Sequence, residues 1–108
     1  MAGDVIRVLA RIHLLSTDEG GRTFPIPGGT SYRPNHNFFG PGNLEMAIGL
    51  IEVPKGEVLK PGDTVDMEVI FLTWPRLIPE LYPEREWLIQ EGATVVGEGR
   101  VLRVNDRA

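Results

Sequence analysis

The side chains able to do chemistry are few, and their spacing points away from catalysis. His13 and His36 are the only histidines, too few for a histidine zinc centre and in no ligand-spaced cluster. His13 shares a strand face with Arg11, which suits a solvated or interface histidine. Ser16, Thr17 and Ser31 are turn hydroxyls with no nucleophile-elbow context, and a hydroxyl without a base and an oxyanion hole is not a nucleophile. The carboxylates come as Asp18-Glu19 before a Gly-Gly turn and as Glu84, Glu86 and Glu91 flanking a proline-rich loop, whereas glycoside chemistry needs two opposed carboxylates in a cleft. The sequence has no cysteine, hence no catalytic thiol, thiolate zinc site or disulfide framework. The glycine pairs precede no helix, so they make neither a phosphate loop nor a dinucleotide fingerprint. The expectation is a chain that is not an enzyme, uses no metal or other cofactor and binds no GTP by itself.

One pair of residues is more informative. Gly97 and Gly99 lie two apart in a strand, so they bare the backbone on one sheet face and let another surface approach. That surface is either a neighbouring part of a tightly packed small barrel or the backbone of a ligand.

The elements that must position these residues are short. With 108 residues, of which 42% are hydrophobic and 24% charged, the chain has the size and composition of one small globular domain, residues 1 to 108. Thirteen glycines and nine prolines divide it into many turns and leave little room for long helices. The formal net charge is −4 and neither half is basic, so the bulk electrostatics that draw a protein nonspecifically to nucleic acid are missing, and an RNA contact would need a local patch. Met1-Ala2-Gly3-Asp4 has no basic or apolar leader character, and no apolar run is long enough to cross a bilayer; a cytoplasmic protein without membrane contact is expected.

Ile6, Val8, Ala10, Ile12 and Leu14 alternate with Arg7, Arg11 and His13, the period of a long strand with one buried face. Asp18-Glu19-Gly20-Gly21 is a turn, residues 24 to 31 a loop, and residues 32 to 39 a second strand. Gly40-Pro41-Gly42-Asn43 has the chemistry of a type II turn. Leu44, Met46, Ile48 and Leu50 then alternate with Glu45, Ala47 and Gly49 as a third strand. Lys60-Pro61-Gly62-Asp63 repeats the turn before Val65, Met67, Val69 and Phe71, the fourth strand. Prolines at 75, 79 and 83 exclude a regular helix or a central strand, so residues 74 to 87 should be an extended connection. Trp87-Leu88-Ile89 opens a fifth strand and residues 94 to 104 form the sixth. Six strands joined by turns imply antiparallel pairing, and a sheet this small removes its edges most completely by closing into a barrel.

Four blocks carry a family resemblance: L-L-S-T-D-E-G-G-R-T-F-P from residue 14, Y-R-P from 32, P-G-D-T-V from 61, and Q-E-G-A-T-V-V-G-E-G-R-V from 90. In order and approximate spacing they resemble the C-terminal β-barrel, the third domain, of elongation factor Tu. The resemblance covers residues 5 to 104. It implies a closed six-stranded antiparallel barrel, from a family in which this domain helps grip the T stem of aminoacyl-tRNA and meets the exchange factor and the GTPase domain. It carries over no GTP hydrolysis, because this chain has no phosphate loop and no Mg²⁺ site.

By the same resemblance, Arg22 matches the arginine of the Gly-Gly-Arg block, with Thr23 beside it, and its guanidinium could fork onto phosphate oxygens. Tyr32 and Arg33 match the Tyr-Arg-Pro block, and Gly97 and Gly99 match the two glycines that let RNA backbone come near. Asn35 stands where the family usually has Gln, Thr94 where it has Arg, and Glu98 where it has a small residue. Losing one positive and gaining one negative charge beside a phosphate contact should weaken RNA binding by about 1 kcal/mol or more per contact. Residues 24 to 31 and 75 to 86 form loops longer than the family pattern. The second carries Leu77, Ile78, Leu81 and Tyr82, which either plug one end of the barrel or form an exposed partner-binding loop. The leading expectation is a noncatalytic interaction module for a protein partner or its own copy; the alternative is a translation-associated accessory that binds tRNA or other RNA.

Overall fold

The computed structural model describes residues 4 to 107; residues 1 to 3, where the sequence shows no leader pattern, and residue 108 lie outside the described residues. In chain order the strands are β1 (Val5–Leu14), β2 (Ile26–Pro27), β3 (Thr30–Tyr32), β4 (Asn35–Asn37), β5 (Ala47–Val53), β6 (Val58–Leu59), β7 (Thr64–Leu72), β8 (Glu86–Glu91) and β9 (Thr94–Arg107), with single 3-10 turns at Thr17–Glu19 and Ile78–Glu80. β1 pairs with both β7 and β9, β9 with β8, β8 with β4, β4 with β5 and β5 with β7, always antiparallel, so six strands close into a barrel. The register of β9 shifts against both of its neighbours, the irregularity by which a strand bends around a closed wall.

The alternation of β1 holds without exception: Ile6, Val8, Ala10, Ile12 and Leu14 are all buried. Opposite them Met67, Val69 and Phe71 of β7 face the same core. Phe38 stacks on Trp87 with ring centroids 5.1 Å apart, and Phe71 meets both edge-on at 5.5 Å. Burial of each such side chain contributes about 2 kcal/mol. Both Pro-Gly turns form as read, with Gly42 at φ 80° and Gly62 at φ 92°, closed by Asn43 N–H donating to the Gly40 carbonyl at 3.1 Å and Asp63 N–H to Lys60 at 3.0 Å.

Three expectations need correction. The third strand begins at Ala47 rather than Leu44, and its buried set is Ala47, Gly49, Ile51 and Val53, while Ile48 lies on the outer wall and Leu44 is 93% exposed. Small residues face inward there because the rings of His36 and Phe71 occupy the space: a Cβ at Gly49 would lie 2.9 Å from each. The second strand is interrupted at Arg33-Pro34, dividing it into β3 and β4, and part of the loop before it is structured, with Ile26 and Pro27 pairing with β6. Residues 75 to 84 are not extended, and Glu86 and Trp87 already belong to β8. Leu77 and Ile78 donate to the Trp74 carbonyl, Glu80 to Leu77 and Leu81 to Ile78, which winds the segment into a compact turn.

Candidate interaction surfaces

That compact turn divides the four apolar residues of its loop. Leu77 and Leu81 are 0% and 2% exposed and belong to the core, which removes them as partner contacts; Ile78 and Tyr82 keep 39% and 50% of their surface. The segment plugs the barrel, and Arg85 fastens it by donating from its guanidinium to the Phe38 carbonyl at 2.6 Å and to Glu80 at 3.0 Å.

Gly97 and Gly99 are buried, and their close approaches are internal. A Cβ at Gly97 would lie 2.6 Å from the His13 carbonyl oxygen, and one at Gly99 would lie 2.4 Å from the Trp87 ring. Of the two readings of this pair, geometry gives tight packing within the barrel. Trp87 in turn donates its indole N–H to His36 Nδ1 at 3.0 Å, while His36 Nε2 lies 3.0 Å from the Gly49 carbonyl. That pair of bonds requires the neutral ring with its proton on Nε2. Burial holds the His36 pKa down at about 4, so it is a core residue.

Arg22, Thr23 and Tyr32 do come together, at one end of the barrel. Ser16 and Glu19 form a capping box across the preceding turn, and Thr17 Oγ1 donates to the Arg22 carbonyl at 3.0 Å, so the Gly-Gly-Arg segment is held by local hydrogen bonds. The Arg22 guanidinium donates to Glu91 and to the Phe24 carbonyl and lies 5.2 Å from the Tyr32 ring centroid; Tyr32 also donates its hydroxyl to Glu91. Burial, followed by that bond to a carboxylate, pushes the Tyr32 phenol up. Glu91, read from sequence as a solvated charge, is thus the centre of this cluster. Arg22, Thr23, Glu91 and Thr94 line a shallow depression of about 350 Å³. Arg33 and Asn35 are exposed on either side of buried Pro34, with Asn35 opposite Gln90.

A larger concavity, about 660 Å³, lies on the outer wall across β8, β9 and β1, bordered by Asn37, Phe38 and the turn residues Gly40 and Pro41. Two cross-strand rows run across it, all but Asp66 at the end of the first lining it. In one, Asp66, Arg11, Arg100 and Glu86 succeed each other across β7, β1, β9 and β8; Arg11 pairs with Asp66 at 2.9 Å and Arg100 with Glu86 at 2.7 Å. In the other, Thr64, His13, Glu98 and Leu88 follow the same order, with His13 Nδ1 2.8 Å from the Thr64 hydroxyl. The alternation of the first strand predicted the outward setting of Arg11 and His13; nothing local to the sequence places the 40 to 43 turn beside them.

Among the described residues no group of three or more histidine, aspartate or glutamate side chains is placed to hold a metal ion, and no helix is long and apolar enough to cross a membrane. No protein-family model matches the chain. The chain is 38% identical over 100 residues, 93% of its length, to elongation factor Tu 2 of Streptomyces avermitilis, and spans 23% of the length of that relative.

Proposed function

For a chain that closes into a six-stranded barrel and is 38% identical over 100 residues to part of an elongation factor Tu, we propose a noncatalytic module that binds a protein partner through its outer wall. The observation that carries this reading is where space lies. Phe38, Phe71, Trp87 and His36 fill the interior, with every buried side-chain polar atom bonded among the described residues. The wide concavity, by contrast, opens on the outside, where Phe38 and Trp87 form part of its floor, and its arginines Arg11, Arg85 and Arg100 are held by carboxylates of the same chain. Such a surface offers shape and apolar contact without the free cations that phosphate recognition needs.

Affinity capture on the immobilised chain, read by mass spectrometry and RNA sequencing together, tests it. The expected result is a saturable protein partner in substoichiometric RNA. Light scattering on the chain alone separates self-association from a foreign partner. A monomer that recovers no protein overturns the reading.

A translation-associated RNA-binding role is favoured by one observation, the convergence of Arg22, Thr23 and Tyr32 beside exposed Arg33 and Asn35. It predicts tRNA affinity that falls with added salt and with Arg33→Ala. Absence of a gel shift at low salt removes it.

A further inference from the structure

The outer-wall groove has an unbalanced charge, and it is negative. Arg11, Arg100 and Arg85 each have a carboxylate partner, at 2.9, 2.7 and 3.0 Å, and His13 is engaged by Thr64. Glu98 is exposed and makes no hydrogen bond or ion pair among the described residues. Its cross-strand neighbour on β8 is Leu88, half-buried in the groove surface. A free carboxylate therefore stands about 5 Å from an apolar side chain, the usual separation of cross-strand partners. The Gly40-Pro41 turn limits the groove on the β8 side.

An extended peptide presents residues i and i+2 on one face, about 6.6 Å apart, and a long basic side chain at one of them can span the difference from the roughly 5 Å between these two groups. An arginine or lysine would find the unmatched carboxylate, and its apolar neighbour would cover Leu88. A phosphate backbone laid in the same place would meet Glu98 with like charge.

We propose that this groove docks an extended protein segment carrying an apolar residue and, two positions away, a lysine or arginine that pairs with Glu98. The proposal rests on the reading of the barrel as a protein-interaction module and names the chemistry of its partner. Glu98 selects by charge and Leu88 supplies contact area, while the arginines of the groove stay occupied by their own carboxylates.

Fluorescence polarisation with the full chain and three fluorescein-labelled octapeptides tests it, each a Gly-Ser background holding Leu-Ser-Arg, Leu-Ser-Glu or Ser-Ser-Arg. The Leu-Ser-Arg peptide should bind about tenfold more tightly than the Leu-Ser-Glu peptide, Glu98→Lys should invert that order, and Leu88→Ser should weaken the best peptide. Circular dichroism confirms that the two surface variants fold. Equal affinity for both charges, no binding by any peptide, a preference that survives Glu98→Lys, or displacement of the peptide by an RNA hairpin overturns the proposal. The captured partner separates this failure from that of the underlying reading: recovery unchanged by Glu98→Lys removes the groove and keeps the module, whereas recovery of nothing removes both.

Discussion

The arginine end of the barrel and the outer-wall groove use charge in opposite ways. At the arginine end two of the residues that resemble an RNA grip, Arg22 and Tyr32, are consumed internally, because Glu91 takes both the guanidinium and the hydroxyl. In the groove the motif glycines serve the core, while Glu98, the residue between them, is exposed and has no partner among the described residues. A matching residue type does not entail a matching availability; what decides is the partner the fold has already supplied.

Four variants would break or sharpen that contrast. Gly99→Ala drives a methyl into the Trp87 ring, where 2.4 Å is available, and should destabilise the chain by about 3 kcal/mol in urea unfolding. A tolerated substitution would return Gly99 to the surface reading. Next in size is the support beneath the groove. His36 is held near pKa 4 when folded and takes its ordinary value of about 6.5 when unfolded. The unfolded chain therefore binds the extra proton first, and stability present above pH 6.5 is lost as pH falls toward 4. About 2 kcal/mol should disappear between pH 7 and 4.5. His36→Gln should lower stability at pH 7 and flatten that slope; an unchanged slope would mean other groups carry it.

Glu91→Ala leaves Arg22 and the half-buried Tyr32 hydroxyl without their shared acceptor, at a cost of about 1 kcal/mol given the partial exposure of the pair. If internal neutralisation is what silences the arginine end, the same variant gains salt-sensitive affinity for tRNA in a gel shift, and no gain would show that Arg22 was never competing for phosphate. Smallest of all, Glu98→Gln should change stability in urea unfolding by no more than about 0.5 kcal/mol, since it removes an exposed charge with no partner among the described residues. A larger loss would reveal an internal role for Glu98.

Much of the barrel was legible because closed sheets write period two into their strands. β1 and β7 alternate cleanly, and Pro-Gly at residues 41-42 and 61-62 marks two reversals that the structure forms. The third strand misleads for a physical reason. Its larger apolar residues lie outside and its inward positions shrink to Ala47 and Gly49, because bulk arrives from His36 and Phe71 on other strands. A two-residue ribbon such as β2 with β6 has no period to read. Leu77 and Leu81 were visible as apolar, yet only the turn wound around Pro79 decides that they point inward. At the arginine end the sequence supplied Arg22 and Tyr32, but Glu91 is 69 positions from Arg22 along the chain, a pairing no local pattern encodes.

The placement of β1 between β7 and β9 has a consequence for synthesis. β1 can acquire β7 as a neighbour while translation continues, but its other edge waits for β9, which is made later. Until then an apolar ribbon keeps an open edge, at which stray strands aggregate. Closure of this seam should therefore be a late event, and slow, because it joins strands far apart in the sequence.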